Sequence, residues 1–231
     1  EVEFTSRVVH ARNPQPESGA TDVDPDVTLG WSAGIEAVEH DVYLSTEEQA
    51  VRDGTAEMVP LVDSSHSLSL DLDSEYFWRV DEINNDEMPP RWVGDVWSFT
   101  TSEFILLEGF ETYSTAEAER VFNNAWEDGY EKDNNGALIG HDDFGALEQL
   151  EVYDGMQSLP FYYDNTTTAT MSETTYTFST AQNWSKNGIK ALTLTFSGNA
   201  ANVAQQMYVK INGQKVPYDG DADDLKKPWW Q

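Results

Sequence analysis

Alternation of apolar and polar side chains dominates this chain, and it predicts strands almost throughout. In the run from Glu75 to Glu82, Tyr76, Trp78 and Val80 share one face while Phe77, Arg79 and Asp81 share the other. The run from Trp92 to Thr101 follows after a short gap, so the two predict an antiparallel pair with one apolar face. Upstream, Val27, Leu29 and Trp31 alternate, then Val42 and Leu44, then Leu68, Leu70 and Leu72, with Pro14, Pro16, Gly19 and Pro25 as punctuation. Short strands at this spacing, separated by turn residues, predict a β-sandwich. Ser45 to Val51 is the one stretch here with the character of a helical turn.

Right after Thr101 comes Phe104-Ile-Leu-Leu-Glu-Gly-Phe-Glu111, an apolar strand with acidic residues near its end and too little spacer for a flexible linker. One β-domain therefore closes and another opens near residue 102, giving expected domains of 1–102 and 103–231. In the second, Ser114 to Phe122 is polar and helix-like, with Ser114 as N-cap. Loops rich in Gly, Asn and Asp come next, from Trp126 to Asp143, and strand pattern returns in 157–163, 173–178, 191–196 and 206–211. Asn212-Gly213 between Ile211 and Val216 is a strong hairpin signal. The halves show no repeat of one another. The expected fold class is all-β, two tandem β-sandwiches, the second open to continuation beyond residue 231.

Composition narrows the function. The chain has 231 residues, 39% hydrophobic and 12% aromatic, which is ample for packed cores. With 42 acidic residues against 13 Lys and Arg the formal charge is −29, so the phosphates of nucleic acids and anionic membranes would be repelled. A solvated surface on a secreted protein, carboxylates gathered for divalent cations, and recognition of a basic partner all remain open explanations of the acids. Cysteine is absent, so disulfides do not staple the fold, and with only four His a zinc site is not expected. No apolar run approaches the roughly 20 residues of a membrane helix, so no membrane insertion is expected. Glu1 is not an initiator, and the adjacent Trp229 and Trp230 near the end suggest the entrance to a further strand, packed against protein.

The first half resembles the fibronectin type III family, in the variants found in large secreted bacterial proteins. The likeness rests on Asn13-Pro-Gln-Pro-Glu-Ser-Gly-Ala-Thr-Asp22, on Val27-Thr-Leu-Gly-Trp31, on Leu70 ahead of Tyr76, and on the closing Trp97-Ser-Phe-Thr-Thr101. It implies that Tyr76 is a corner tyrosine whose hydroxyl ties the chain to an upstream backbone group, and that Trp31 and Trp78 are core. The second half resembles the galactose-binding-like jelly rolls that include many carbohydrate-binding modules. Glu108-Gly-Phe-Glu111, Asp154-Gly-Met-Gln-Ser-Leu-Pro160 and Ile189 to Phe196 leading to Tyr208-Val-Lys-Ile-Asn-Gly213 carry that likeness through their order. It implies a structural calcium site around Glu108 and Glu111.

Sugar recognition needs flat aromatic faces for the apolar side of a pyranose and polar side chains for its hydroxyls. Trp126, Tyr130, His141, Asp142, Tyr162, Tyr163 and Asp164 offer that mixture, mostly in loops. In Asp219-Gly-Asp-Ala-Asp-Asp224, Asp219, Asp221 and Asp223 stand at alternate positions, as in flexible calcium loops, and a solvated acidic turn is the alternative. Paired carboxylates such as Glu108 and Glu111 or Asp142 and Asp143 could act as a glycosidase acid and base, yet such pairs arise by chance among so many acids. No nucleophile elbow, phosphate loop or dinucleotide fingerprint is present. The sequence reading is thus a non-catalytic, calcium-stabilised, extracellular segment of a larger secreted or cell-surface protein that binds a polysaccharide or glycan. The rival is a structural subunit of a bacterial surface layer, adhesin or extracellular filament that contacts copies of itself or other surface proteins.

Overall fold

The computed structural model describes residues 8–140, 147–166 and 168–231. The chain forms two compact units, residues 1–106 with 183–190, and residues 107–182 with 191–231. Both are built of strands, and the class is all-β.

Unit 1 contains β1 (Arg12–Gln15), β2 (Ala20–Val23), β3 (Thr28–Ser32), β4 (Glu39–Ser45), α1 (Glu48–Asp53), β5 (Glu57–Leu61), β6 (Ser65–Ser67), β7 (Glu75–Ile83), β8 (Arg91–Trp92) and β9 (Val96–Thr101). One sheet runs β1-β3-β6; the other runs β2-β9-β7-β4-β5, with β8 paired to β7. Alternation decides what lies inside. Leu29 and Trp31 from the first sheet meet Val42, Trp78, Val80, Trp97 and Phe99 from the second in a single buried cluster. Trp78 is fully buried at its centre, with the rings of Trp97 and Trp31 at 4.7 and 6.3 Å. At the corner leading into β7, the Asp71 N–H donates to Tyr76 Oη at 3.2 Å, the backbone tie expected of this tyrosine.

The other face of β7 is not the solvent face that its polar residues suggest. Arg79 and Asp81 are both buried, and α1 closes over this face, with Val51 fully buried and Arg79 Nη1 donating to Arg52 O at 2.7 Å. Asp41 and Asp81 stand directly across from each other in the β4–β7 register, two like charges side by side. Arg91 resolves the conflict by pairing with both, assisted by Arg79 at 2.8 Å from Asp81. The 183–190 segment completes this unit. Asn187, in a left-handed conformation at φ 55°, donates to Leu70 O and Ser69 Oγ and accepts from the Leu72 N–H. Lys186 pairs with Asp26 and holds that carboxyl below the usual range.

Unit 2 contains β10 (Trp126–Glu127), β11 (Ala137–Ile139), β12 (Phe161–Tyr163), β13 (Thr175–Tyr176), β14 (Tyr208–Ile211) and β15 (Gln214–Pro217), joined as the pairs β10–β13, β11–β12 and β14–β15. Its core gathers Tyr113, Val121 and Ile139 with Phe110, Phe122, Trp126, Leu147 and Leu159. The Asn212-Gly213 hairpin forms as expected, both residues having positive φ, which suits the twist of β14 and β15.

Two expected strands here join no ladder. Leu106 is 68% exposed in the opening segment and Leu194 60% exposed in Ala191 to Phe196, so alternation marks these segments but no partner strand covers them. The helix expected from Ser114 is replaced by two 3₁₀ turns, Glu117–Glu119 and Val121–Asn123. Ser114 Oγ still accepts from the Ala116 N–H, but Asn123 and Asn124 donate back to the Glu117 and Arg120 carbonyls, competing with helical bonding. Trp230 packs near Tyr153, while Trp229 is 57% exposed, so only one of the two tryptophans is covered as expected. Among the described residues, no helix is long and apolar enough to cross a membrane.

Candidate functional site

The loop from 128 to 136 is shaped by two side chains that turn inward. Asp128, 5% exposed, accepts from the Tyr130 N–H at 2.9 Å and from the Ile139 N–H at 2.8 Å, one with each carboxylate oxygen. Asn135 accepts from the N–H groups of Ala137 and Glu173 and donates to Glu173 O. Gly136 permits the next approach, since a Cβ there would lie 1.9 Å from Asp164 O. The Asp164 N–H in turn donates to Gly136 O, which ties the loop to the end of β12. The result is a fixed turn that presents Tyr130, 54% exposed.

Strand β12 carries the next three sequence-identified residues. Phe161 and Tyr163 share one face, their ring centroids 6.3 Å apart, and Tyr162 and Asp164 fall on the other. Tyr162, opposite Leu138, is 49% exposed. Asp164 accepts from the hydroxyl and the N–H of Thr166, contacts that hold its carboxyl below the usual range and therefore charged at neutral pH. Tyr163 turns inward, and burial pushes its hydroxyl up. Trp126 lies in the core, its ring 5.7 Å from Phe110 and 5.1 Å from Tyr176. His141 and Asp142 lie outside the described residues.

Most of the carboxylates suggested for calcium already have nearer partners. Glu108 accepts from the Phe110 N–H and from Tyr113 Oη, each at 2.7 Å, and burial together with this bond pushes the Tyr113 hydroxyl far up. Glu111 accepts from the N–H groups of Met156 and Gln157. Asp221 caps a 3₁₀ turn through the Asp223 N–H, and Asp223 pairs with Lys226, while Asp219 precedes that turn. Among the described residues, no three His, Asp or Glu side chains come together as a metal group. As placed, Glu108, Glu111, Asp219, Asp221 and Asp223 do not make a calcium-fitting donor set.

Sequence reasoning passed over a groove of about 590 Å³ lined by Glu111, Tyr113, Gln149, Val152, Met156 and Gln157. The loop that builds it also exposes Leu150 (93%), Tyr153 (66%) and Met156 (75%). The Tyr153 ring sits 5.9 Å from that of Trp230. An aromatic and two long apolar side chains within one Gly-containing turn were the available signal, since a turn has no buried face to account for them.

No family model matches the chain, and no curated protein matches it. Among solved structures, an α-L-rhamnosidase from Dictyoglumus thermophilum shares 15% identity over 44% of this chain, with a TM-score of 0.34. The chain spans 13% of that protein's length, so the case for function rests on the residues themselves.

Proposed function

We propose that the chain is a non-catalytic, extracellular glycan-binding segment of a secreted or cell-surface protein, with unit 1 as carrier and unit 2 as the binding unit. The observation that carries this reading is the outer face of β12, where the exposed ring of Tyr162 and the charged carboxylate of Asp164 stand two residues apart. A ring of this kind receives the apolar face of a pyranose, and a fixed carboxylate accepts from its hydroxyls. Tyr130, on its pinned turn, extends the set. For unit 1, the two-sheet order and the Asp71–Tyr76 bond support a fibronectin type III-like module. For the non-catalytic part, both oxygens of Glu108 are already engaged, which disfavours it as a glycosidase acid. Titration of the intact chain with oligosaccharides should show binding that Tyr162→Ala weakens about tenfold. Equal affinity in that variant would remove β12 from the reading.

A structural subunit is the second reading, and one observation favours it. Ala191 to Phe196 joins no ladder and exposes Leu192 and Leu194, apolar surface that a second copy would cover. Light scattering separates the two: concentration-dependent assembly supports the subunit, and a monomer at all concentrations opposes it.

A further inference from the structure

The groove beside Glu111 is chemically one-sided. Glu111 Oε1 accepts from two successive amides, Met156 N–H at 3.0 Å and Gln157 N–H at 3.3 Å. Glycine at 155 favours this: its φ is 74°, where a side chain would be strained, and a Cβ there would lie 2.3 Å from that oxygen. The carboxylate is therefore fixed before any ligand arrives. Its other oxygen, Oε2, has no partner among the described residues.

Gln157 is also committed in one direction. Its Nε2 donates to Phe110 O at 2.6 Å and to Tyr113 O at 2.9 Å, which uses both of its amide hydrogens and leaves Oε1 as an acceptor. The groove thus offers Glu111 Oε2 and Gln157 Oε1 as acceptors, with Val152 and Met156 as apolar wall and Tyr153 exposed on the same loop.

We infer that this groove is a second saccharide site, which takes a neutral or amino sugar through its hydrogen-bond donors and excludes uronate or sulfated ones. The inference rests on the reading of unit 2 as a glycan-binding unit. A pyranose supplies hydroxyl donors to both acceptors and an apolar face to Tyr153, whereas an anionic sugar would set like charge against Glu111 in a chain of formal charge −29. With β12 as the other contact, a long neutral glycan engages both positions of unit 2, and the second contact forms at high effective concentration.

Isothermal titration of the full chain with short neutral, cationic and anionic oligosaccharides (mannohexaose, a chitosan hexamer and a galacturonate trimer) tests this, with Tyr153→Ala, Glu111→Gln and Tyr162→Ala alongside. The expected result is two sites for the neutral sugar and none for the anionic one, with Tyr153→Ala removing one site and Tyr162→Ala the other. Glu111→Gln keeps an oxygen for the two amides but puts a donor in place of Oε2, so it should weaken the groove site about tenfold without lowering the melting temperature. One site, lost in Tyr162→Ala and unchanged in Tyr153→Ala, would overturn the groove and leave β12 standing. One site lost only in Tyr153→Ala would do the reverse. Preference for the galacturonate would overturn the ligand class, and no binding to any of the three would overturn both sites.

Discussion

The two units hold their shape by different means. Unit 1 relies on long registers: β7 has nine residues, and β4 pairs along it from Glu39↔Ile83 to Ser45↔Phe77. Unit 2 has strands of two to four residues joined only in pairs, and its loops are fixed by side chains that reach to distant backbone, as with Asp128, Asn135, Glu111 and Gln157. A sheet fixes backbone but leaves its loops free to vary. A loop pinned by buried polar groups presents its surface residues in one geometry, which is what recognition requires.

The sharpest way to break this contrast is to attack each unit through its own support. Trp78→Ala empties the centre of the unit 1 core and should cost about 3–5 kcal/mol, read as early loss of unit 1 in denaturant unfolding. Asp128→Ala strands the Tyr130 and Ile139 amides and should cost unit 2 about 2–3 kcal/mol, although the side chain removed is small. A cost near zero for Asp128→Ala would mean that apolar packing alone holds unit 2.

A smaller effect comes with pH. Glu173 is held below its ordinary value of 4.5 by Lys210 first and by Tyr208 second. Its contribution is therefore present above that value and lost as pH falls through the lower folded value. Burial and the bond to Glu173 push Tyr208 up to about 12 from an ordinary 10.0, so its contribution is full below 10.0 and lost as pH rises towards 12. Docking of the β14–β15 hairpin should be flat between these limits and weaken beyond them, and Glu173→Gln should flatten the acid limb. Smaller still, Tyr76→Phe keeps the ring and deletes one hydrogen bond in unit 1, an expected loss of about 0.5–1.5 kcal/mol in thermal melting.

The same contrast explains what was legible in the sequence. Trp31, Trp78, Val80 and Tyr76 could be placed from alternation because both sheets of unit 1 supply partners along their length. Arg79 and Asp81 were placed only on the face opposite Trp78, since pattern alone does not reveal that α1 and Arg91 close that face. In unit 2 the Asn212-Gly213 turn was readable because its chemistry is local. Leu192 and Leu194 alternate just as well, yet alternation says nothing about whether a partner strand exists. Tyr130, Tyr162 and Asp164 were named from residue type and lie exposed, and Trp126 was named with them, although its burial against Phe110 and Tyr176 depends on distant contacts. Tyr153 and Gln157 were passed over because their meaning lies in Glu111, far away in sequence.

The central claim is that exposed aromatics of unit 2 carry glycan binding while unit 1 serves as carrier. It is tested most directly by presenting the intact chain, the Tyr153→Ala/Tyr162→Ala double variant and Tyr76→Phe to the same array of neutral glycans. The account predicts binding by the intact chain and by Tyr76→Phe, and its loss in the double variant at unchanged melting temperature. Glycan binding that survives the double substitution, or an intact chain that binds none of the array, would contradict it.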